Sequence, residues 1–421
     1  MSIKLRLILM NFLQYAIWGS YLTSMGTHLY EIGMGDKIGL FYAMQGIVSL
    51  FMPALVGIVA DRWVPAQRLL GLCHLLAAGF LAASAYSICA TAPDYNYWLI
   101  FSLYSLSVAF YMPTIALSNS VAYSILESNR MDTVKDFPPI RVWGTVGFIC
   151  AMLLCDFAGF QKSYMQFYLS ATFGLVLGLY AFTLPHCPVN TSGEKKSLAE
   201  ALGLRAFSLF KQKKMALFFI FSMLLGVSLQ ITNGFANPFI TSFKAIPEYA
   251  STFGANHANA LISLSQISET LCILLIPFCL KRFGIKNVML MAMFAWVLRF
   301  GLFGLGNPGG GVWMFILSMI VYGIAFDFFN ISGSLFVNNE TDTSIRSSAQ
   351  GLFMMMTNGI GATIGTLGAQ QVVNHFVNSQ TEPGAQVAGW STSWLIFAAY
   401  ALVVALLFAL VFKYKHTPEK A

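Results

Sequence analysis

Two carboxylic acids lie within long apolar stretches of this 421-residue sequence. Glu269 falls in LISLSQISETLCILLIPF, residues 261–278, and Asp327 falls in WMFILSMIVYGIAFDFFNISGSLFV, residues 313–337. An ionised group left unpaired inside a bilayer is costly, so a carboxyl group in such a stretch marks a site for protons, ions or a polar solute. The chemistry that these two groups predict is reversible proton binding along a polar pathway through a membrane.

Other polar and aromatic side chains in the apolar stretches stand at helical spacing, and residues three or four apart share one face of a helix. The sets are Arg141, Thr145 and Phe148; Gln230 and Asn233; Gln266 and Glu269; and Tyr322 and Phe326, with Asp327 and Asn330 beside the last pair. Amides and carboxylates hydrogen-bond hydroxyl groups, and aromatic faces stack on planar rings. This mixture predicts a binding site for a polar solute that contains a ring.

A structural alternative stands beside each of these interpretations. The amide and carboxylate pairs could join helices by hydrogen bonds alone. Asp327 could pair with an arginine only to fix the fold, and Arg141, which follows Pro138 and Pro139, could be a gate or an interfacial anchor. Arg299 is expected to be a snorkelling or helix-packing residue. Each single aromatic residue could equally face lipid or the protein core.

The elements that must position these residues are membrane-spanning helices. The sequence is 57% hydrophobic and 10% charged, whereas about a quarter of the residues of a soluble domain are charged. At about 20 apolar residues per span, the chain accommodates roughly twelve helices. The apolar run from Leu7 to about Tyr30 is too long for the core of a signal peptide and is predicted to be the first span. We therefore expect an all-α integral membrane protein.

The spans divide into two halves. The one long polar connection, residues 185–214, is predicted to be a cytoplasmic linker between an N-terminal six-helix bundle, 1–184, and a C-terminal one, 215–421. GIVADRWVPAQR after the second span has a counterpart in CLKRFGIKN after the eighth. A duplicated six-helix unit predicts alternating access, in which one half rocks against the other around a midplane site.

The placement of charge predicts the topology. The net charge is +7, yet the segments expected outside the cell hold only Lys37, Lys162 and Lys244 of the 24 Lys and Arg residues. By the positive-inside rule both termini are cytoplasmic, and topology accounts for the basic charge without a nucleic-acid partner. The seven cysteines form no CxxC and the histidines have no metal-binding spacing, so no metal, disulfide or cofactor is predicted.

Several segments carry a resemblance to known families. GIVADRWVPAQR, residues 57–68, resembles the signature after the second span of the major facilitator superfamily, although Pro65 and Gln67 depart from it. The chain resembles the bacterial nucleoside permeases, the nucleoside:proton symporters of that superfamily, essentially from end to end. The segments that carry this second resemblance are DFPPIRVWGTVGF (136–148), LQITN (229–233), SQISETL (265–271) and AFDFFNISGS (325–334).

The resemblance implies the major facilitator fold, with twelve transmembrane helices in two pseudo-symmetric six-helix halves. It also implies roles for residues at matching positions. Gln230, Asn233, Gln266 and Glu269 would hydrogen-bond a nucleoside, while Thr145, Phe148, Tyr322 and Phe326 would help to enclose it. Arg141 and Asp327 would complete the polar core, with Asp327 as the leading proton-coupling candidate and Glu269 and Arg141 as the others.

The predicted function is import of nucleosides by proton symport across the bacterial cytoplasmic (inner) membrane. The proton is the coupling ion, no cofactor is expected, and the protein is expected to function as a monomer in the lipid bilayer without enzymatic activity. Two alternatives use the same fold, a proton-coupled sugar or oligosaccharide symporter and a nucleoside uniporter without proton coupling. A membrane sensor and a membrane-embedded transferase are disfavoured because no signalling domain, nucleophile–base pair or metal set is found.

Overall fold

The structure, a computed structural model, describes residues 2–188, 204–342 and 345–415. Within these ranges the chain forms helices and no β-strand. Among the described residues, seven helical stretches are long and apolar enough to cross a membrane, and the number is eight if the bent pair of helices between residues 35 and 60 counts as one span. The predicted all-α membrane fold is confirmed, and the number of twelve spans stays a prediction.

The described residues form two compact units. Unit 1 comprises Met1–Met34 and Ile47–Leu202, and unit 2 comprises Gly35–Gly46 and Gly203–Ala421. Residues 189–203 of the predicted linker lie outside the described residues, and Leu204–Lys211 form a 3-10 helix.

The first eight α-helices begin within residues 2–188. They are α1 (Ile3–Gly19), α2 (Met25–Glu31), α3 (Ile38–Ser49), α4 (Met52–Arg62), α5 (Ala66–Thr91), α6 (Tyr97–Ser128), α7 (Thr133–Phe157) and α8 (Met165–Ala181). Within unit 1, α1 packs against α7 and α8, and α5 packs against α6 and α8. These contacts place α1 beside the helix that carries Arg141, Thr145 and Phe148.

The first apolar run is divided by a turn. The sequence predicts one span from about residue 5 to residue 30, whereas α1 ends at Gly19 and α2 begins at Met25. Ser20 lies at the break, and its hydroxyl group donates to the carbonyl oxygen of Ala16 at 2.8 Å. Because serine side chains can satisfy backbone groups within apolar surroundings, the break leaves little trace in the hydropathy of the sequence.

Glycines allow α1 and α7 to approach closely. A Cβ atom added at Gly147 would overlap the backbone of Phe12, and one added at Gly19 would overlap the backbone of Phe148. Protein interiors are packed too densely to absorb such an overlap without a shift of the backbone. The two glycines therefore fix the position of Phe148, a predicted site residue, against α1.

We expect Gly147→Ala to destabilise the protein by about 1–3 kcal/mol, because the added methyl group forces two packed backbones apart. Gly79→Ala on α5 is the matched control, since a Cβ there meets no atom within 4 Å, and alanine is the better helix former. The Tm of each variant is measured in detergent by heating followed by size-exclusion chromatography. Equal Tm values for the two variants would contradict the close packing of α1 on α7.

The remaining helices lie in unit 2. They are α9 (Lys213–Leu229), α10 (Ile231–Ser242), α11 (Phe253–Asn256), α12 (Ala258–Cys272), α13 (Ile276–Leu305), α14 (Val312–Glu340), α15 (Arg346–Met354), α16 (Ala362–Val373) and α17 (Pro383–Val411). Helix α13 packs against α14 and α17, and α12 packs against α14. Gly284, at φ 78°, interrupts α13 with a sharp kink. This kink falls in the segment 279–287 that the sequence predicts to separate two spans.

The core of unit 2 is aromatic. Trp394 on α17 is fully buried, and the ring of Phe303 on α13 stacks on it with a centroid distance of 4.7 Å. The rings of Phe239 and Phe300 each lie 5.8 Å from Trp394. Large apolar rings contribute most of the packing energy of such a core, so this cluster holds α13 against α10 and α17.

Candidate functional site

The amide pair of unit 2 lies at a helix break. Helix α9 ends at Leu229 and α10 begins at Ile231, so Gln230 occupies the junction between them. The side-chain amide of Asn233 donates to the Gln230 side-chain oxygen at 2.6 Å, and both residues are half-buried. A break within an apolar stretch is tolerated where the backbone lines a cavity or is buried in protein. The two amides thus form one polar group at the interruption of this helix.

A close approach of α12 and α14 brings the two carboxyl groups near each other. A Cβ added at Gly323 on α14 would meet the carbonyl oxygen of Ser268 at 2.6 Å, and the Ser268 hydroxyl donates to the carbonyl of Ile320. Glu269 follows Ser268, and Asp327 lies four residues after Gly323 on the same helix face. The carboxyl groups of Glu269 and Asp327 are close enough to interact electrostatically.

Asp327 is the more deeply buried of the two acids. Its side chain is 6% exposed, and Oδ2 has no hydrogen-bond partner among the described residues. Glu269 is half-buried. An ionised carboxylate needs partners when it is removed from water, and a carboxyl group that binds a proton becomes neutral and gains a donor. This geometry suits a group that gains and loses a proton.

Two aromatic rings stand beside the acids on α14. Tyr322 and Phe326 stack with their centroids 5.6 Å apart and their planes at 17°, as their spacing of four residues predicts. Trp296 on α13 meets the Tyr322 ring edge-on at 6.0 Å. Glu269 and Asp327 both lie within electrostatic range of Tyr322. The stacked pair provides a flat apolar surface next to the carboxyl groups.

Gln266 completes the set of predicted residues in unit 2. It lies one turn before Glu269 on α12 and is half-buried, and its carbonyl oxygen accepts from the Thr270 hydroxyl at 3.1 Å. Within the described part of the chain its side-chain amide makes no hydrogen bond, so both its donors and its acceptor can serve a ligand.

The predicted residues of unit 1 lie on α7 and face α1. The guanidinium carbon of Arg141 lies 4.0 Å from the centroid of the Tyr15 ring, a cation–π distance. Trp18 meets the buried Phe148 ring edge-on at 6.3 Å, and Thr145 is half-buried. Helix α7 begins at Thr133, so Arg141 lies well inside a helix and not at its start.

Unit 1 contains a buried polar network that the sequence does not predict. Gln14 joins three helices, because its side-chain oxygen lies 2.7 Å from Nε2 of His74 and its amide donates to Thr114 at 2.8 Å. The hydroxyl of Tyr111 donates to the carbonyl of Gln14 at 2.8 Å. Gln14, His74 and Thr114 lie on α1, α5 and α6. Periodicity along one helix cannot pair residues that lie on different helices.

The sequence leaves two interpretations of Arg299 open, a snorkelling residue and a helix-packing residue. A snorkelling arginine carries its charge to water, whereas Arg299 is only 2% exposed. Its guanidinium donates from Nη1 to the carbonyl of Ser318 at 2.7 Å. The snorkelling interpretation is therefore wrong and the helix-packing interpretation is correct, because Arg299 bridges α13 and α14 inside unit 2.

The structure groups the predicted residues of unit 2 as Gln230 with Asn233, Glu269 with Asp327, and Tyr322 with Phe326. Across residues 2–188, 204–342 and 345–415, no group of three or more His, Cys, Asp or Glu side chains could hold a metal ion. The arrangement offers hydrogen-bonding amides, a flat aromatic surface and a buried pair of carboxyl groups. It can hold a polar planar solute and exchange a proton, but it lacks a nucleophile with a base beside it.

The helical fold and these side chains are typical of a secondary membrane transporter. A model of the nucleoside H+ symporter family matches residues 1–417. The chain is 48% identical over 419 residues to the nucleoside permease NupG of Escherichia coli, covering 99% of this chain and 97% of that protein. It is 49% identical over 423 residues to the xanthosine permease of the same bacterium, covering 100% of this chain and 98% of that one.

The crystal structure of the nucleoside transporter NupG has the same fold. It superposes with a TM-score of 0.89 at 47% identity, covering 99% of this chain and 100% of that one. The chain belongs to the nucleoside H+ symporter family.

Proposed function

We propose that this protein imports nucleosides across the bacterial cytoplasmic membrane by symport with protons, and that it is a transporter and not an enzyme. The observation that carries the proposal is that Glu269 and Asp327 lie on two helices, α12 and α14, that approach closely at Ser268 and Gly323 inside the apolar part of unit 2. Membership of the nucleoside H+ symporter family supports the same function. The proton is the coupling ion, and no cofactor takes part.

We assign the hydrogen bonds to the nucleoside to the amides and to one acid. Gln230, Asn233 and Gln266 offer both donors and acceptors, and Glu269 accepts from hydroxyl groups such as those of ribose. Because the Gln230–Asn233 bond already orients both amides, little side-chain entropy is lost when the solute binds. Preorganisation of this kind favours binding at low concentrations of nucleoside.

Aromatic and polar side chains enclose the base in this proposal. Tyr322, Phe326 and Phe148 contribute apolar surface, and Thr145 contributes a hydroxyl group. Stacking of a base on an aromatic ring is tolerant of the base, since every base has a π-face. The site should therefore accept several nucleosides. Arg141 completes the polar contacts and lies within cation–π distance of Tyr15.

Asp327 carries the coupled proton in this mechanism, with Glu269 and Arg141 tuning its charge state. A nucleoside that hydrogen-bonds Glu269 alters the electrostatic surroundings of Asp327, so substrate binding and proton binding are linked. The gradient is sufficient, because 100 mV supplies about 2.3 kcal/mol per proton and one pH unit supplies about 1.36 kcal/mol. Accumulation of tens-fold or more is within this range.

The halves 1–184 and 215–421 alternate the access of the site in the proposed cycle, as in other transporters built from repeated bundles. The bias of basic residues along the sequence supports cytoplasmic termini. We infer a functional monomer, because each polypeptide contains all the residues assigned to binding and coupling.

The proposal predicts uphill uptake of radiolabelled uridine into proteoliposomes of the purified protein. With an inward proton gradient, internal uridine should exceed external uridine by roughly tens-fold, since one proton per nucleoside supplies this free energy. A protonophore should reduce the ratio to equilibrium. Unlabelled nucleosides should compete with uridine, and free ribose should not, because it lacks the base.

The alternatives give different results in the same assay. Uridine that equilibrates without accumulating would identify a uniporter. Competition by ribose as strong as that by nucleosides would identify a sugar symporter. Absence of uridine uptake by protein that remains monodisperse and folded would exclude the proposed function.

A further inference from the structure

Arg299 places a positive charge in the interior of unit 2 away from the acids. It lies on α13 and is among the largest fully buried side chains. Among the described residues the guanidinium group forms no ion pair with a carboxylate. Buried charges are normally paired, because removal of a charge from water is costly. A neutral residue could join α13 and α14 at lower cost, so the charge itself calls for a function.

Aromatic rings and backbone oxygens surround this charge. The guanidinium carbon lies 4.6 Å from the centroid of the Tyr322 ring and 5.3 Å from that of Phe303. Nη1 donates to the carbonyl of Ser318 at 2.7 Å, and the Ser318 hydroxyl donates back to the carbonyl of Arg299 at 3.0 Å. Nε has no hydrogen-bond partner in the described part of the chain. An arginine that served only to join two helices would form hydrogen bonds with more of its N–H groups.

The contact with Tyr322 connects Arg299 to the candidate site. Tyr322 stacks on Phe326 at 5.6 Å, and Trp296 holds it from the side. Attraction between a cation and a ring face is strong where both are removed from water, so Arg299 opposes rotation of the Tyr322 ring. Phe326 is the more exposed member of the pair. The charge of Arg299 therefore acts on the Tyr322–Phe326 stack through the Tyr322 ring.

We propose that Arg299 is a positioning residue, which fixes the orientation of the Tyr322 ring and of the Phe326 ring stacked on it, so that the more exposed Phe326 receives the planar base of the nucleoside. This inference rests on the proposed function. It assigns recognition of the base to the Tyr322–Phe326 stack, which Arg299 contacts through Tyr322. Among the predicted site residues Arg299 contacts Tyr322, and its Nη1 also donates to the Ser265 hydroxyl on α12 at 3.4 Å. Its loss should therefore weaken nucleoside binding and leave the proton-coupling acids in place.

The test is a double-mutant cycle on the equilibrium Kd for radiolabelled uridine in detergent. Arg299→Gln should weaken binding about tenfold, because a desolvated cation–π contact to Tyr322 is lost. Tyr322→Leu removes the ring, and in that background Arg299→Gln should change the Kd by less than about twofold, since residues that act through one contact are not additive. Arg299→Lys keeps the charge and should recover most of the affinity.

Transport by the same proteins supplies a second readout. In Arg299→Gln the KM for uridine should rise in step with the Kd, while the maximal rate and the uptake driven by the proton gradient at saturating uridine are retained. Arg282→Gln on the same helix is the control, since Arg282 is exposed. If the glutamine variant does not fold, the effect of Arg299→Lys on the Kd for uridine is measured in the wild-type protein and in the Tyr322→Leu background. A roughly threefold loss of affinity for uridine that occurs only when Tyr322 is present supports the proposal.

Equal effects of the Arg299 substitution with and without the Tyr322 ring would overturn the inference, as would an unchanged Kd. Both results leave the proposed function intact if wild-type protein and Arg282→Gln bind and accumulate uridine. Failure of the wild-type protein to bind any nucleoside would instead reject the proposed function.

Discussion

Replacement of Asp327 by Asn is expected to abolish the accumulation of uridine driven by a proton gradient while nucleoside binding is retained. Asparagine has nearly the same shape as aspartate but cannot gain and lose a proton. Asp327 is 6% exposed and leaves one oxygen without a partner in the described residues, so the amide removes the charge without a large change in packing. The measurement is the ratio of internal to external uridine in proteoliposomes with an inward proton gradient.

In this variant the ratio should fall from roughly tens-fold to equilibrium, because the proton no longer contributes its free energy. Counterflow of labelled uridine, which needs no gradient, should persist. Asp342→Asn is the matched control, since Asp342 is exposed just beyond the end of α14, and its uptake should equal that of the wild-type protein. Accumulation at the wild-type level in Asp327→Asn would remove Asp327 from the coupling role.

Glu269→Gln should weaken the binding of uridine by about tenfold to a hundredfold, because a hydrogen bond to a charged group contributes about 1.5–3 kcal/mol in a desolvated site. Gln230→Ala should weaken it by about twofold to tenfold, since a neutral hydrogen bond contributes about 0.5–1.5 kcal/mol. It also removes the acceptor of the Asn233 amide. Both affinities are measured by equilibrium binding of radiolabelled uridine to purified protein.

Two exposed residues provide controls of the same chemistry. Glu382→Gln and Gln380→Ala change side chains at the surface before α17 and should leave the Kd unchanged. Wild-type affinity in both Glu269→Gln and Gln230→Ala would place the nucleoside elsewhere. A loss of affinity in the control variants as well would indicate a general effect of substitution and not a contact.

The two predictions concern different properties, and the structure explains why they separate. Glu269 is half-buried, so its carboxylate can meet both solvent and solute. Asp327 is more deeply buried and neighbours the Tyr322–Phe326 stack. An acid that contacts the solute should affect mainly the affinity, whereas an acid behind it should affect mainly the use of the proton gradient. Interaction between the two acids then links both events.

Contacts within one helix could be predicted from the sequence. The spacing of Tyr322 and Phe326 predicts a shared face, and their rings stack. The spacing of Gln230 and Asn233 predicts the same, and their amides are hydrogen-bonded even though the helix is broken at Gln230. Local geometry of this kind follows from the rise and twist of the helix. The roles of these residues in binding stay predictions.

Contacts between helices could not be predicted in this way. The sequence shows Glu269 and Asp327 as isolated acids 58 residues apart, and their proximity depends on the close approach that Gly323 allows at Ser268. Arg299 shows the same limit, because hydropathy cannot distinguish a lipid-facing arginine from one buried between α13 and α14. The rotation of each helix about its axis decides which of these contacts exists.

The amino-acid sequence alone is enough to predict an all-α membrane protein with acids, amides and aromatic residues in its spans. Composition and spacing are sufficient for that, because the bilayer requires apolar helices and penalises every exception. Only the folded structure shows that Glu269 lies within electrostatic range of Asp327, that the Arg299 guanidinium lies over the Tyr322 ring and that Gln14 joins His74 to Thr114. These are contacts between distant segments, and they depend on the small residues and side-chain packing that set how closely, and at what rotation, two helices meet.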